Sequence, residues 1–280
     1  TVPLCSDAPY QAIQIGSIVA RGTPRDPALA GALALDLGSF GIAATGATVR
    51  NIVGYLRLAG DTIVVDSLVG WAGGPIRVAG GLGIGNYAEP SFDLELTTQN
   101  ALVLNNDQGR VRADADLTMR GPFDSVRVEG SARIRGGVVY VEESPSPDVV
   151  SARDPALFSI VDTSVVTVDE IVPEESPLLR NLQVNVALTV DRDTWVRTTN
   201  GNVEVYGDLN LNLNQRRNSF AIEGSVNTDR DDYTFMSRRF QVQRGSATFI
   251  GSQELDPTLQ ITAGYEVPIA GREGLNIRVL

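Results

Sequence analysis

The sequence predicts an all-β fold, a long curled antiparallel sheet that forms a U-shaped groove with an apolar interior. Apolar and polar residues alternate along most of the 280 residues, which is typical of strands with one dry face and one wet face. Short segments rich in Gly and Asn separate the alternating runs, as hairpin turns do. Helical spacing is almost absent, so no layer of helices is predicted to cover the apolar face.

The alternation is clearest over residues 182–190, 203–213 and 220–226, and in the first half of the chain over residues 110–120. Within each run one parity is mostly apolar and the other mostly polar, which predicts roughly a dozen or more strands. The predicted turns between runs are at residues 59–61, 105–109, 200–202 and 215–218. Glycines inside the runs are expected to help the sheet curl; they include Gly130, Gly207 and Gly224.

An internal repeat supports a sheet that grows by the addition of strands. Asp116-Leu117 aligns with Asp208-Leu209 at an offset of 92 residues (208 − 116). Residues 126–131 align with residues 220–225 at an offset of 94 (220 − 126), so the second copy has a two-residue insertion. A repeat of several strands is typical of quasi-one-dimensional proteins.

The segment Ser144–Pro177 interrupts the alternation with Pro, Asp and Glu. It is predicted to be a long loop or insertion, with one short helix at Asp154–Ile160. The chain therefore divides into a first sheet segment at residues 1–143, the loop at 144–177, and a second segment at 178–280 that continues the same sheet.

Composition excludes several classes of function. The net charge of −11 makes nucleic acid a poor partner. The chain has no His and a single Cys, Cys5, which excludes Ser-His-Asp triads, Cys-His pairs, zinc sites and an internal disulfide. No stretch approaches the roughly 18 consecutive apolar residues of a membrane-spanning helix. Both ends are interpreted as excised boundaries, so targeting signals are expected to lie outside the chain.

Two acidic clusters are candidates for a hard cation such as calcium. They are Asp191-x-Asp193 and Asp229-x-Asp231-Asp232. Both are predicted to lie in hairpin turns without the spacing of an EF-hand loop, which favours solvated turn residues. The run Gly81-x-Gly83-x-Gly85 lacks the following helix of a phosphate-binding loop. No catalytic residue, metal site or cofactor is therefore predicted.

A curled sheet that does not close completely leaves an apolar trough, and such a trough can hold lipid acyl chains. The residues predicted to line it are the apolar members of the alternating runs: Leu94, Leu96, Val111, Leu117, Met119, Val184, Val186, Leu188, Val203, Val205, Leu209, Leu211, Phe220, Ile222, Val226, Phe235, Phe240, Val242, Phe249, Leu259 and Ile261. The same side chains could instead form an ordinary protein core, and Phe235, Phe240 and Phe249 could plug the end of the trough.

A more specific pattern covers the second half of the chain. It runs Val203-Glu-Val-x-Gly207-Asp-Leu-x-Leu211, Phe220-x-Ile-x-Gly224-x-Val226, Tyr233-Thr-Phe235, Phe240-x-Val242-x-x-Gly245-x-Ala-x-Phe249 and Asp256-Pro257-x-Leu259-x-Ile261-x-Ala263. In order and spacing this resembles the C-terminal domain of TamB, from the AsmA-type translocation and assembly module family. The first half resembles the same family through Gly54-Tyr-Leu-x-Leu, Gly73-Gly74-x-Ile-x-Val78-x-Gly80 and Val128-x-Gly130-x-Ala132.

The resemblance implies a β-taco fold whose groove binds phospholipid acyl chains. It also implies a protein in the periplasm of a diderm bacterium, held to the inner membrane by an N-terminal anchor that is expected to lie outside this chain. A TamA-type outer-membrane barrel is the implied partner, and the implied activities are phospholipid transport between the membranes and outer-membrane protein assembly. Two features are expected to depart from the family pattern: the insertion at 144–177, and an end before the family's terminal docking segment.

Two other classes of function stay open at this point. One is a structural or adhesive extracellular β-protein with a filled core and no ligand. A parallel β-helix version of that class repeats every 20–30 residues or so, whereas this repeat is far longer. The other is a polysaccharide-acting enzyme with an Asp/Glu pair, although no two carboxylates are predicted to lie in an apolar cleft.

Overall fold

The structure, a computed structural model, describes residues 13–15, 18–23, 26–43, 45–85, 89–141, 180–199, 201–229, 231–235, 238–252, 256–267 and 275–279. Cys5, the predicted loop at 144–177 and its helix at 154–160 lie outside these residues. The division into segments at 1–143, 144–177 and 178–280 stays a prediction. No helix among the described residues is long and apolar enough to cross a membrane.

Sixteen strands make up the described part of the chain, together with a 3-10 turn at Gln215–Arg217. They are β1 (Ile13–Ile15), β2 (Val19–Thr23), β3 (Asp26–Ile42), β4 (Ala47–Gly60), β5 (Thr62–Trp71), β6 (Pro75–Gly83), β7 (Ser91–Asn106), β8 (Gly109–Pro122), β9 (Arg127–Tyr140), β10 (Gln183–Arg197), β11 (Gly201–Asn214), β12 (Ser219–Thr228), β13 (Asp231–Phe235), β14 (Arg238–Ile250), β15 (Thr258–Val267) and β16 (Leu275–Val279).

All sixteen strands belong to one sheet, so the predicted all-β fold is confirmed. From β3 to β12 each strand pairs with the next along the chain. The order then continues through β14, β15 and β16, while β13 pairs with both β11 and β14 and β2 pairs with β3. Strand pairing joins neighbours only, so β1 and β16 stand at opposite ends of the described sheet.

Among the described strands, one pair is parallel. β9 and β10 run in the same direction, in register from Arg127 opposite Gln183 to Tyr140 opposite Arg197. The repeat explains this pair, because β7–β9 and β10–β12 are equivalent units of three strands. In a unit of three antiparallel strands, the first and third strands run in the same direction. If the next unit starts in that direction too, its first strand must be parallel to the third strand of the unit before it.

Glycines at equivalent places in the two units allow close approach of neighbouring backbones. Gly130 has φ 142° and Gly224 has φ 127°. A Cβ atom on Gly130 would lie 2.1 Å from the carbonyl oxygen of Asp116, and one on Gly224 would lie 2.2 Å from that of Asp208. Both positions therefore require glycine, which is typical of sites where strands twist or bend strongly.

Bulges interrupt the pairing near the middle of several strands. Register shifts fall between Arg50 and Val53, between Thr98 and Ala101, and between Val190 and Thr194. Each of these bulges contains one residue in the left-handed region; these are Asn51, Asn100 and Asp193, with φ of 53°, 49° and 75°. Bulges bend a strand and increase its twist, so this line of bulges gives the sheet a common place to curve.

β7 is longer than its neighbour β6, and the end of β7 that extends past β6 is bonded by two turns. One turn joins β5 to β6, and the other joins β3 to β4. The Leu102 amide donates to the Ala72 carbonyl over 2.6 Å, and the Asn105 amide donates to the Thr45 carbonyl over 2.8 Å. Arg112 Nη1 donates to the carbonyl of Gly73 over 3.1 Å. These bonds satisfy backbone groups that an open edge would leave unpaired. They enclose a small corner of buried residues: Ala47, Ala72, Thr98, Ala101, Val111 and Ala113.

Candidate functional site: the apolar face

The register aligns apolar residues in continuous rows across the sheet, because directly opposed residues lie on the same face. Two adjacent rows each cross ten strands from β3 to β12. The first is Leu35, Gly54, Leu68, Val78, Leu96, Leu117, Gly130, Val186, Leu211 and Ile222. The second is Leu33, Leu56, Val65, Gly80, Leu94, Met119, Val128, Val184, Leu213 and Phe220.

We call the surface that carries these two rows the apolar face, and the opposite surface the polar face. Every position in the two rows is apolar or Gly, and both rows pass through the parallel β9–β10 pair without a break. At about 4.8 Å between strands, ten strands span about 43 Å. The rows are therefore longer than the hydrocarbon thickness of a bilayer, which is roughly 30 Å.

The apolar face is only partly covered. Of the predicted trough residues whose side chains the structure describes, only Val111, Val186 and Val242 are buried, at 5–7% exposure. Leu259 and Ile261 are exposed, at 61% and 49%. The remaining described members are half-buried: Leu94, Leu96, Leu117, Met119, Val184, Leu188, Val203, Val205, Leu209, Leu211, Phe220, Ile222, Val226, Phe240 and Phe249. Side chains in a filled core would be buried on all sides, so no second layer covers this face in the part of the chain that the structure describes.

Further rows place other predicted residues on the same face. Leu188 lies opposite Leu209, which lies opposite Gly224, followed by Phe249. Val226 lies opposite Ala247, followed by Leu259. Beyond the bulges of β9 and β10, Val111 lies opposite Gly137, Gly137 lies opposite Thr194, and Thr194 lies opposite Val205. Val203 lies opposite Val196.

The aromatic residues at the β13–β15 end are only partly described. The rings of Phe240 and Tyr265 lie 5.4 Å apart between centroids, at an interplanar angle of 40°. This tilted arrangement is one that aromatic pairs favour. The backbone of Phe235 is in register with Arg238, and its side chain lies outside the described residues.

The structure adds residues to the apolar face that were not among the predicted lining residues. They are the members of the two rows in β3–β6, together with Val128, Ile134, Val190 and Leu213. The alternation that could have identified them is present in the sequence. Val190 and Leu213 belong to the clear alternating runs at 182–190 and 203–213. In β3–β6, however, bulges shift the phase of the alternation and glycines replace apolar side chains, so a fixed period of two loses it.

An ion-pair network on the polar face joins the two parallel strands, β9 and β10, to each other and to β8. Arg135 Nε donates to Asp114 Oδ2 over 2.6 Å and Arg135 Nη1 donates to Asp191 Oδ2 over 3.4 Å. Arg133 Nε donates to Asp191 Oδ1 over 2.9 Å. The hydrogen bond from Arg135, joined by one from the Asn100 amide, lowers the pKa of Asp114 below its usual value. The network thus connects β8, β9 and β10 by charge-assisted bonds.

A second polar cluster connects β10, β11 and the residue after β12. Arg192 Nη2 donates to Asp229 Oδ2 over 2.9 Å, and the Tyr206 hydroxyl donates to the same oxygen over 2.8 Å. Arg192 also lies 3.9 Å from the centre of the Tyr206 ring, within range of a cation–π interaction. The bond from Arg192 lowers the pKa of Asp229, and the bond to Asp229 raises the pKa of Tyr206.

These contacts account for two carboxylates of the calcium candidates, since Asp191 and Asp229 are both paired with Arg. The predicted turn position of Asp191-x-Asp193 is wrong, because both residues lie inside β10 at its bulge. There the Asp193 amide, freed from the ladder, donates to Glu204 Oε1 over 2.9 Å. Among the described residues, no three His, Cys, Asp or Glu side chains gather in a way that could hold a metal ion.

The fold and this face define a class of protein, in which one extended, curved sheet leaves an apolar face open instead of packing it into a core. The chain belongs to the TamB family: the model of the TamB C-terminal domain matches residues 66–280, from within β5 to the end of the chain. The predicted resemblance is confirmed. Comparisons with curated proteins and with solved structures found no match.

Membership in this family gives the broad function. TamB is a translocation and assembly module of the cell envelope, and it is not a family of enzymes. The chain is therefore an envelope protein of the transport and assembly class.

Proposed function

We propose that this chain carries phospholipid between the inner and outer membranes through the periplasm, with acyl chains bound along its apolar face. The observation that supports the proposal best is the pair of unbroken apolar rows across ten strands. Most of their side chains stay half-buried, so a hydrocarbon partner would remove additional apolar area from water.

The proposed transfer needs no bond-making chemistry. Acyl chains would slide along rows of similar aliphatic side chains, which offer no single deep pocket to hold them. Headgroups would stay in water at the open rim of the groove, because removal of a charged phosphate from water is costly. Equivalent binding energy along the rows would permit movement in either direction, so a lipid gradient would set the direction of net transport.

The proposed lining consists of the predicted residues and the added members of the two rows. The pairing of β9 with β10 supports one groove that continues from the first sheet segment into the second. Family membership supports the proposed partners: phospholipid acyl chains, a TamA-type outer-membrane barrel, and an inner membrane reached through an N-terminal anchor. It likewise supports a contribution to outer-membrane protein assembly.

The proposal can be tested by native mass spectrometry of the purified chain, with lipid extraction from the same sample. The test variant is Leu188→Asp with Leu209→Asp, a directly opposed pair on the apolar face. The matched control is Ala187→Asp with Asn210→Asp, the adjacent opposed pair on the polar face, where both residues are exposed. Both variants add two carboxylates to the same two strands.

We expect co-purified phospholipid with the wild-type chain and the control variant. The amount of lipid bound to the apolar-face variant should fall by more than about tenfold, since a charged residue within hydrocarbon costs on the order of 2.5–3.5 kcal/mol. Equal loss in both variants would contradict a face-specific site. A wild-type chain that carries no lipid and takes none from added vesicles would favour the structural or adhesive alternative.

A further inference from the structure

The polar face of the sheet has an exposed apolar region at β4 and β5. Val53 lies opposite Val69, and Tyr55 and Trp71 lie two residues away on the same two strands. All four side chains are exposed, from 43% for Val69 to 66% for Tyr55. We call Val53, Tyr55, Val69 and Trp71 the aromatic patch.

The aromatic patch is on the side of the sheet that faces away from the two apolar rows. Val69 lies opposite Arg77, which lies opposite Thr97 and then Asp116. Asp116 and Thr97 alternate with the row members Leu117 and Leu96, so this line of residues is on the polar face. The patch is therefore separate from the proposed lipid groove.

The rest of the polar face differs in chemistry. Over β7–β12 it carries ion pairs and amides, for example Arg120 with Asp93 at 3.0 Å. The neighbouring β3 presents small apolar residues next to the patch, with Ala34 opposite Tyr55 and Ala32 opposite Arg57. An exposed cluster of Trp, Tyr and Val on an otherwise polar surface marks an interaction site better than scattered apolar residues do.

Positive charge borders the aromatic patch. Arg50 lies opposite Trp71, and Arg77 lies opposite Val69. Both side chains are exposed, and neither has an ion pair among the residues that the structure describes. Arg57 is also close, paired with Asp66. The patch thus carries local positive charge in a chain whose net charge is −11.

We propose that the aromatic patch docks on the surface of an anionic lipid bilayer. Trp and Tyr place an apolar ring and a polar tip together, which suits the interface between headgroups and hydrocarbon. Exposed Arg side chains attract the negative charge of anionic headgroups. Docking through the polar face leaves the apolar face free, so the chain can lie against a membrane while its groove stays open.

Vesicle co-sedimentation tests this proposal. Vesicles of phosphatidylcholine alone are compared with vesicles that contain about one third phosphatidylglycerol, the anionic component. The first variant is Arg50→Ser with Arg77→Ser, and its matched control is Arg110→Ser with Arg127→Ser. The control removes two exposed Arg from the polar face outside the patch. A second variant, Tyr55→Ser with Trp71→Ser, removes the rings.

We expect the wild-type chain to prefer anionic vesicles, and the preference should weaken with added salt. Each Arg near an anionic surface strengthens the binding constant by about fivefold. Loss of both Arg50 and Arg77 should therefore weaken binding about 25-fold, while the control should change it far less. The Tyr55 and Trp71 variant should weaken binding to both kinds of vesicle. The apolar-face variant Leu188→Asp with Leu209→Asp should still bind vesicles, which separates docking from lipid uptake into the groove.

Three results would overturn the proposal. The first is equal binding to both kinds of vesicle. The second is a loss of binding in the control as large as that in the Arg50 and Arg77 variant. The third is a wild-type chain that does not bind vesicles but forms a dimer in analytical ultracentrifugation, where the variant Tyr55→Ser with Trp71→Ser is a monomer. The aromatic patch would then be an interface between two copies of the chain.

Discussion

Replacement of Gly224 by Ala tests whether close contact between strands shapes the sheet. Gly224 is on the apolar face of β12, opposite Leu209 and Phe249. Its φ of 127° is rarely adopted by residues with a side chain. The new Cβ would also lie 2.2 Å from the carbonyl oxygen of Asp208, which cannot give way without loss of strand pairing.

The expected cost of this substitution has two parts. A residue other than Gly in a sparsely populated backbone region costs on the order of 1–3 kcal/mol. The contact with the Asp208 carbonyl adds to this by displacing β11 from β12. A total of about 3 kcal/mol corresponds to a fall of roughly 6–12 °C in the thermal midpoint, at about 2–4 °C per kcal/mol for a chain of this size.

Two other glycines provide controls for the Gly224 variant. Gly60 has φ 68°, but a Cβ there meets nothing within 4 Å, so Gly60→Ala measures backbone strain alone. A Cβ on Gly81 would make only ordinary contacts, at 3.7 Å from Thr62 and 3.8 Å from Ile63. Gly81→Ala should therefore be close to neutral, or slightly stabilising because it restricts the unfolded chain.

The assay is thermal unfolding followed by circular dichroism in the β-sheet region. We expect the midpoint to decrease in the order Gly81→Ala, Gly60→Ala, Gly224→Ala. If Gly224→Ala unfolds at the same temperature as Gly60→Ala, the close contact with the Asp208 carbonyl adds nothing to the destabilisation. The role assigned to glycine in shaping the sheet would then be wrong.

Two further predictions concern the ion pair of Asp114 and the buried side chain of Val126. Because Arg135 lowers the pKa of Asp114, this carboxylate stabilises the fold above its unfolded pKa of about 3.9, and the contribution disappears as the pH falls through the lower folded value. Asp114→Asn should thus lower the thermal midpoint at pH 7, and the difference from wild type should vanish in strong acid; a difference that persists there would contradict this assignment. Val126 is fully buried, so Val126→Ala should cost about 1–3 kcal/mol in chemical denaturation. Ile250→Ala, at a side chain that is 75% exposed, should cost less than about 0.5 kcal/mol, and equal costs would refute the burial argument.

Much of the fold could be predicted because the strands keep a strict period of two where they are regular. In β10, Val184, Val186 and Leu188 alternate with polar or small neighbours, and the structure places all three on one face. The predicted turns at 105–109 and 215–218 also coincide with the ends of strands. Local pattern was sufficient at these positions because each strand has one apolar and one polar face.

The parallel pair could not be predicted from local pattern. Alternation reports which face a residue is on, but it does not report strand direction. The repeat did contain the information, since each unit from β7 to β9 and from β10 to β12 has three strands. An odd number of strands per unit implies a parallel pair between units, and this inference requires the strand count to be known first.

The bulges were missed for a different reason. Asn100 and Asp193 read as ordinary polar residues or turn formers, since both types tolerate left-handed conformations. Their role depends on partners in the next strand: the Asn100 amide donates to Asp114 over 2.7 Å, and the Asp193 amide donates to Glu204. A signal was available at equivalent positions in the two units, although it is visible only after their strands are aligned.

The aromatic patch lies where alternation alone cannot assign the faces of the sheet. In β4 and β5 both faces carry large apolar residues, because Tyr55 and Trp71 occupy the polar side. A period of two cannot separate the faces when both are apolar. Only the register with Arg77 and Thr97 assigns these residues to the polar face.

The central claim, that acyl chains lie along the apolar face, is tested most directly by site-specific photo-crosslinking to radiolabelled phospholipid. The chain is expressed in cells with a photoreactive amino acid at one position at a time. The four test positions lie in one row, two before the junction between β9 and β10 and two after it: Leu96, Leu117, Val186 and Leu211. The four controls are the next residues along the same strands, on the polar face: Thr97, Thr118, Ala187 and Asn212.

We predict crosslinks to phospholipid at all four positions of the row, including Val186 in the second strand of the parallel pair and Leu211 beyond it, and few at the four controls. Crosslinks of equal yield on both faces, or none at any row position in the labelled cells, would contradict the claim that this face is the lipid-binding surface.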